Sequence, residues 1–124
     1  MMHIPCLDIK RQYHQIKEEV LIKTEEVFDS NAFSAGKYVD SFEKHFADYC
    51  ETKYSMACNN GTTALHLALL ALGIKSGDEV IVPANTFIAT AWAVSYVGAK
   101  LVFVDCDPNT WQIDANKIEE KITT

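Results

Sequence analysis

Early in the chain the apolar positions recur at helical spacing. Between residues 13 and 28, Tyr13, Ile16, Val20, Val27 and Phe28 alternate with lysine and glutamate. That period predicts an amphipathic helix that must lay one face on something. The segment Asn31-Ala32-Phe33-Ser34-Ala35-Gly36 breaks the period and reads as a loop. A second amphipathic helix follows, with Val39, Phe42, Phe46 and Tyr49 on one side.

After residue 50 the rhythm changes. Residues 54–58 are a short, mostly apolar run and predict a strand. Asn59-Asn60-Gly61 turns the chain into a helix over 62–72 that is apolar nearly all round. Gly73 is placed to end it, because glycine tolerates the left-handed conformation at a helix end. Lys75-Ser76-Gly77-Asp78 leads into a strand over 79–82, which Pro83 closes. Residues 86–97 predict another apolar helix, followed by Gly98 and a strand over 100–104. Asp107-Pro108-Asn109 is a turn, and Asp114 reads as the N-cap of a last helix carrying Ile118 and Ile122.

Strand, helix, strand, helix, strand, with nearly continuous apolar strands, predicts an α/β fold of mainly parallel strands covered by helices on both faces. Two amphipathic helices precede it. The expected division is a helical segment over 1–50 and an incomplete α/β domain over 51–124. Two apolar helices in succession ask for more cover than these residues supply. The rest of that layer is expected from further sequence or from a second subunit.

Composition narrows the function classes. The 124 residues are 48% hydrophobic and 23% charged, as in a soluble globular protein. The net charge is −6 and no stretch gathers lysine and arginine on one face, which argues against nucleic acid and anionic membrane as partners. The most apolar stretch, 64–72, is far shorter than the roughly 20 residues a bilayer requires. No basic region followed by an apolar run opens the chain, so the expected compartment is the cytoplasm. Cys6, Cys50, Cys58 and Cys106 lie far apart without a Cys-x-x-Cys pair. The last three sit in or beside apolar runs, which suits small buried hydrophobes better than disulfides or a zinc site.

Two segments carry candidate chemistry. In Cys58-Asn59-Asn60-Gly61-Thr62-Thr63-Ala64-Leu65, a strand meets a helix through a tight turn. Unpaired N–H groups and the positive end of the dipole at a helix start stabilise a phosphate. Gly61 admits close approach, and the hydroxyls of Thr62 and Thr63 can add bonds. A plain turn capped by Asn60 or Thr62 explains the same residues. The second segment is Pro83-Ala84-Asn85-Thr86-Phe87-Ile88-Ala89-Thr90, at the same sheet edge, where open α/β sheets bind ligands. Phe87 could stack on a planar ring, with Asn85 and Thr86 as polar contacts. Alternatively Phe87 is core and Thr86 a cap.

Together these segments resemble the sugar aminotransferases of the DegT/DnrJ/StrS family. The likeness includes Asn60-Gly61-Thr62-Thr63-Ala64-Leu65-His66-Leu67-Ala68-Leu69, Gly77-Asp78-Glu79-Val80-Ile81-Val82-Pro83 and Thr86-Phe87-Ile88-Ala89-Thr90. It extends to Phe33-Ser34-Ala35-Gly36, Phe42-Glu43 and Gly98-Ala99-Lys100-Leu101-Val102-Phe103-Val104-Asp105, nearly the whole chain in the family's order. The resemblance implies part of a fold-type I, pyridoxal 5'-phosphate-dependent large domain that works as a homodimer. Such enzymes move an amino group, usually from glutamate, to a keto group on a nucleotide-linked sugar. By position Gly61, Thr62 and Thr63 match the phosphate-binding turn, and Phe87 matches the aromatic on the pyridine ring. The loop from Phe33 to Gly36, with Asn85 and Thr86, matches the sugar side of the site. Asp8 lies in the stretch that approaches substrate.

The family's Schiff-base lysine and its pyridine-pairing aspartate fall downstream of Thr124. None of Lys100, Lys117 or Lys121 stands in a matching context, so no catalytic residue is assigned here and the 124 residues alone are expected to be inactive. Dehydratases of the same fold differ at that lysine position and are one alternative. A non-catalytic remnant kept as a binding or dimerisation module is another. His66 and the tryptophans Trp92 and Trp111 read as packing residues. Asp105 and Asp107 read as a strand-end turn rather than a metal site.

Overall fold

The computed structural model describes residues 7–123, which fall into two units meeting between Ala57 and Cys58. In the first unit, helix α1 (Ile9–Ser30) starts where the Asp8 carboxylate accepts the Arg11 N–H at 3.2 Å. It stops at Asn31, whose left-handed backbone (φ 52°) sends its N–H to the Phe28 carbonyl at 3.1 Å. Asparagine is among the few residues that enter this region cheaply. No α1 residue is buried. Helix α2 (Lys37–Tyr49) follows Gly36, at φ 82°, and is tied to α1 by the Tyr38 hydroxyl, which donates to the Glu26 carbonyl at 3.1 Å. Phe42 and Phe46 stack one turn apart, with centroids 5.5 Å apart.

The expected strand over 54–58 does not form. A strand exists only as half of a ladder. Here the Ala57 N–H donates instead to the Glu43 side chain, at 2.7 Å.

In the second unit, α3 (Gly61–Ala71) ends as the glycine predicts. Gly73 is left-handed at φ 76°, its N–H reaches the Leu70 carbonyl at 2.9 Å, and the Ile74 N–H reaches the Leu69 carbonyl at 3.0 Å. These two bonds satisfy carbonyls the helix end would leave open. Strand β1 (Glu79–Pro83) pairs in parallel with β2 (Lys100–Val104), Glu79 opposite Lys100 and Pro83 opposite Val104. Proline can close β1 because the ladder asks no further donor of it there. Helix α4 (Ala89–Tyr96) crosses between the strands and packs on both and on α3. The core is small: Val82, Ala89, Ala91, Ala93, Val94 and Val104.

Other expectations are corrected by this arrangement. Helix α4 begins at Ala89, not at residue 86, and the last helix is two short 3-10 turns, Ala115–Lys117 and Glu119–Lys121, the first capped by Asp114. Trp92 and Trp111 are exposed, and His66 is half-buried, edge-on to Tyr96 at 5.4 Å. Cys50 and Cys58 are exposed free thiols and Cys106 is intermediate; Cys6 lies outside the described residues. On α3, Leu65, Leu67 and Leu70 remain exposed in this unit, so its all-round apolar surface is uncovered by these residues. No described helix is long and apolar enough to cross a membrane.

Glu79 fastens the start of the sheet. Its carboxylate accepts from Lys100 across the ladder and from the Thr123 hydroxyl at 2.7 Å. The Lys100 bond first, then the Thr123 bond, hold its carboxyl below the usual glutamate range. A carboxyl depressed in the fold contributes stability above the unfolded-state value of about 4.3, and loses it as pH falls through the folded value. Glu79→Gln should therefore melt lower than wild type at pH 7, and the difference should close on acidification below about pH 4. Thermal melts across that range check this; a pH-independent difference would exclude the carboxylate as its source.

Candidate functional site

Helix α3 starts at a turn, and that turn builds one wall of the site. Asn60 is the N-cap: its side-chain oxygen accepts the Thr63 N–H at 2.9 Å and its carbonyl accepts the Ala64 N–H at 3.1 Å. The capped-turn reading is thus correct for Asn60, and it leaves the two preceding donors open. Among the described residues the N–H groups of Gly61 and Thr62 donate to nothing, nor do the hydroxyls of Thr62 and Thr63. A Cβ added at Gly61 would meet nothing within 4 Å, so the space beside Gly61 is open.

The opposite wall comes from the segment between β1 and α4. The Ala84 N–H continues the ladder to the Val104 carbonyl at 2.8 Å, and the chain then bends through 84–86. Because α4 starts only at Ala89, Phe87 stays outside the helix and outside the core, 76% exposed. Gly61, Thr62, Ala64, Leu65, Phe87, Ala89 and Thr90 together line a cavity of about 570 Å³.

Three of the four expected cofactor residues, Gly61, Thr62 and Phe87, therefore meet in one cavity. Thr63 belongs to the same turn but does not line the cavity. Asn85 and Thr86 lie on the adjoining bend, exposed, and are not lining residues either. Asp8, Phe33 and Gly36 belong to the first unit, where Asp8 caps α1, Phe33 meets Phe28 edge-on at 5.3 Å, and Gly36 precedes α2. Sequence reasoning did not single out Thr90, although its spacing of one helical turn from Thr86 was available. The Thr86 and Thr90 hydroxyls are 3.0 Å apart.

Among the described residues no carboxylate or other titratable side chain lines the cavity, so none of them opposes an anion there. The donor set, two free N–H groups and two hydroxyls at the positive end of α3, fits a phosphate ester. The exposed ring of Phe87 fits a planar heteroaromatic attached to it. Asp107, in contrast, is spent on a turn. It accepts the N–H groups of Asn109 at 2.7 Å and Thr110 at 3.0 Å, and these, Thr110 foremost, hold its carboxyl low.

The model of the DegT/DnrJ/EryC1/StrS aminotransferase family matches residues 14–124. The chain belongs to that family. GDP-perosamine synthase of Caulobacter vibrioides is 60% identical over 90 residues, covering 73% of this chain and 24% of that protein. The dTDP-3-amino-3,6-dideoxy-alpha-D-galactopyranose transaminase of Aneurinibacillus thermoaerophilus is 45% identical over 121 residues, 98% of this chain and 33% of that one. Among solved structures, NtdA of Bacillus subtilis with bound cofactor PMP matches at a TM-score of 0.91 and 40% identity, over 99% of this chain and 28% of its own. The fold is part of a fold-type I aminotransferase, and this DegT/DnrJ/EryC1/StrS chain spans about a quarter to a third of the length of these relatives.

Proposed function

We propose that this chain is the amino-terminal part of a pyridoxal 5'-phosphate-dependent enzyme that moves an amino group from glutamate to a keto group of a nucleotide-linked deoxysugar. The observation that carries it is the cavity itself: free donors at the start of α3 on one wall, an exposed aromatic on the other. In this reading the N–H groups of Gly61 and Thr62 and the hydroxyls of Thr62 and Thr63 hold the phosphate dianion. Phe87 stacks on the pyridine ring and excludes water from one face. When bound, the cofactor supplies an electron sink. Asn85 and Thr86 are assigned to the sugar, and so, by the family likeness alone, are Asp8, Phe33 and Gly36 of the first unit.

Among the described residues no lysine or aspartate lines the cavity, so the reading assigns the amine that carries the cofactor and the carboxylate on its pyridine nitrogen to residues outside these 124. Residues 1–50 form its amino-terminal helical segment and 51–124 the first part of its cofactor domain. The complete protein works as a cytoplasmic homodimer, without nucleic acid or membrane, and the 124 residues alone transfer nothing.

The test is transfer of labelled nitrogen from glutamate to a GDP- or dTDP-linked keto-deoxysugar by the full-length protein, read by mass spectrometry. An unlabelled, deoxygenated product would point to a dehydratase instead. Absence of any cofactor binding would leave a binding or dimerisation module. Phe87→Ala should weaken pyridoxamine 5'-phosphate by about fivefold, from the ~1 kcal/mol of a lost aromatic contact, while an exposed ring costs the fold little. Calorimetric titration beside a thermal melt checks both halves.

A further inference from the structure

Phe87 has a positional problem. At 76% exposure its ring has little packing to hold it, so its place is set by the backbone on either side. Both sides of that backbone lead to one residue. The Phe87 carbonyl accepts the Thr90 N–H at 3.1 Å, and the hydroxyl of Thr86, just before the ring, lies 3.0 Å from the Thr90 hydroxyl. Thr90 itself is half-buried on α4, directly after the buried Ala89, and lines the cavity. It is thus anchored where Phe87 is not.

We propose that Thr90 is a positioning residue for the ring of the cofactor: through the Thr86 hydroxyl and the Phe87 carbonyl it fixes the bend that presents Phe87 to the cavity. This rests on the cofactor reading above. Fixing a contact group before the ligand arrives spares the ordering cost at binding, so losing the tether weakens the ring contact and leaves the phosphate contact alone. The phosphate donors sit on α3, on the other wall, and share no hydrogen bond with the Thr86–Thr90 pair.

The experiment measures pyridoxamine 5'-phosphate and inorganic phosphate binding by the full-length protein and its Thr90→Val, Thr90→Ser and Thr86→Val variants. Thr90→Val keeps the shape and the N–H bond but loses the hydroxyl. It should weaken pyridoxamine 5'-phosphate about five- to twentyfold with inorganic phosphate unchanged. Thr90→Ser should bind both ligands as wild type does. Thr86→Val should match Thr90→Val, and the double variant should be no weaker than either, because the two hydroxyls act as one pair. The proposal is overturned if Thr90→Val binds pyridoxamine 5'-phosphate like wild type, if both ligands weaken together, or if the serine variant fails to rescue. A wild-type protein that binds no pyridoxamine 5'-phosphate overturns the cofactor reading and this inference with it. Normal wild-type binding beside an unaffected valine variant removes the inference alone.

Discussion

Val94→Asp should unfold the α/β unit. Val94 and Val104 are each only 1% exposed and are the largest fully buried side chains among the described residues. Val94 belongs to α4, which carries most of the core, and borders a space of about 200 Å³ lined by Leu65, Leu69, Val80, Val82 and other small or apolar groups. Among the described residues that line it, Thr90 alone is polar. The substitution forfeits roughly 2 kcal/mol of apolar burial and strands a carboxylate whose desolvation costs several more, about 4 kcal/mol or above in all. A unit with so few buried side chains has little margin against that loss. The full-length variant should be recovered in inclusion bodies, or melt far below wild type. Val94→Ala, which removes only methyl groups, should cost about 2 kcal/mol and stay soluble.

A second signature separates charge from shape. A buried carboxylate is pushed toward its neutral form, so its folded-state pKa lies above the unfolded value near 3.9. The excess destabilisation is then largest above the folded value and shrinks as pH falls below it. Val94→Asn, polar but without charge, should show no such recovery in chemical denaturation across pH. An aspartate variant whose deficit is the same at every pH would mean that Val94 is less enclosed than its exposure indicates.

The two strands and the core helix between them were legible because everything they need is in the chain. The runs 79–83 and 100–104 are apolar and close in sequence, and they find each other. The run at 54–58 looks alike by composition, yet pairing is a property of two segments, and the described residues offer it a glutamate side chain instead of a ladder. Helix α3 shows the same limit from another side. Its apolar periphery correctly announced a demand for cover, but a sequence states what a surface wants, not whether the partner is there.

The site divides in the same way. Asn60, Gly61 and Gly73 are read from local rules of helix ends, which act within a few residues. The start of α4 obeys no such rule: Ile88 caps it without a side-chain bond, between the apolar Phe87 and Ala89. Placing that start three residues early puts Thr86 at a cap and takes Phe87 into the helix, although residues four apart are neighbours in either case. The true start at Ala89 leaves Phe87 on the bend, with the two hydroxyls 3.0 Å apart.

Gly61→Val should abolish tight cofactor binding while leaving the fold intact. Unlike Gly36 and Gly73, Gly61 has no left-handed backbone, so a β-carbon there is not strained. Nothing lies within 4 Å of that carbon, so it would collide with no part of this unit. Valine is also no worse than glycine as a helix residue. What the new methyl groups take up is room at the wall of the cavity that Gly61 and Thr62 line. Displacing a phosphate from such a cradle costs about 3 kcal/mol, roughly a hundredfold in affinity. In the full-length protein, pyridoxamine 5'-phosphate and inorganic phosphate should weaken together, with the melting temperature within about 2 °C of wild type. That joint loss contrasts with Phe87→Ala, which should spare inorganic phosphate, so the two variants report on opposite ends of one ligand. If Gly61→Val binds both ligands as wild type does, the phosphate does not sit at the start of α3, and the assignment of Gly61, Thr62 and Thr63 fails with it.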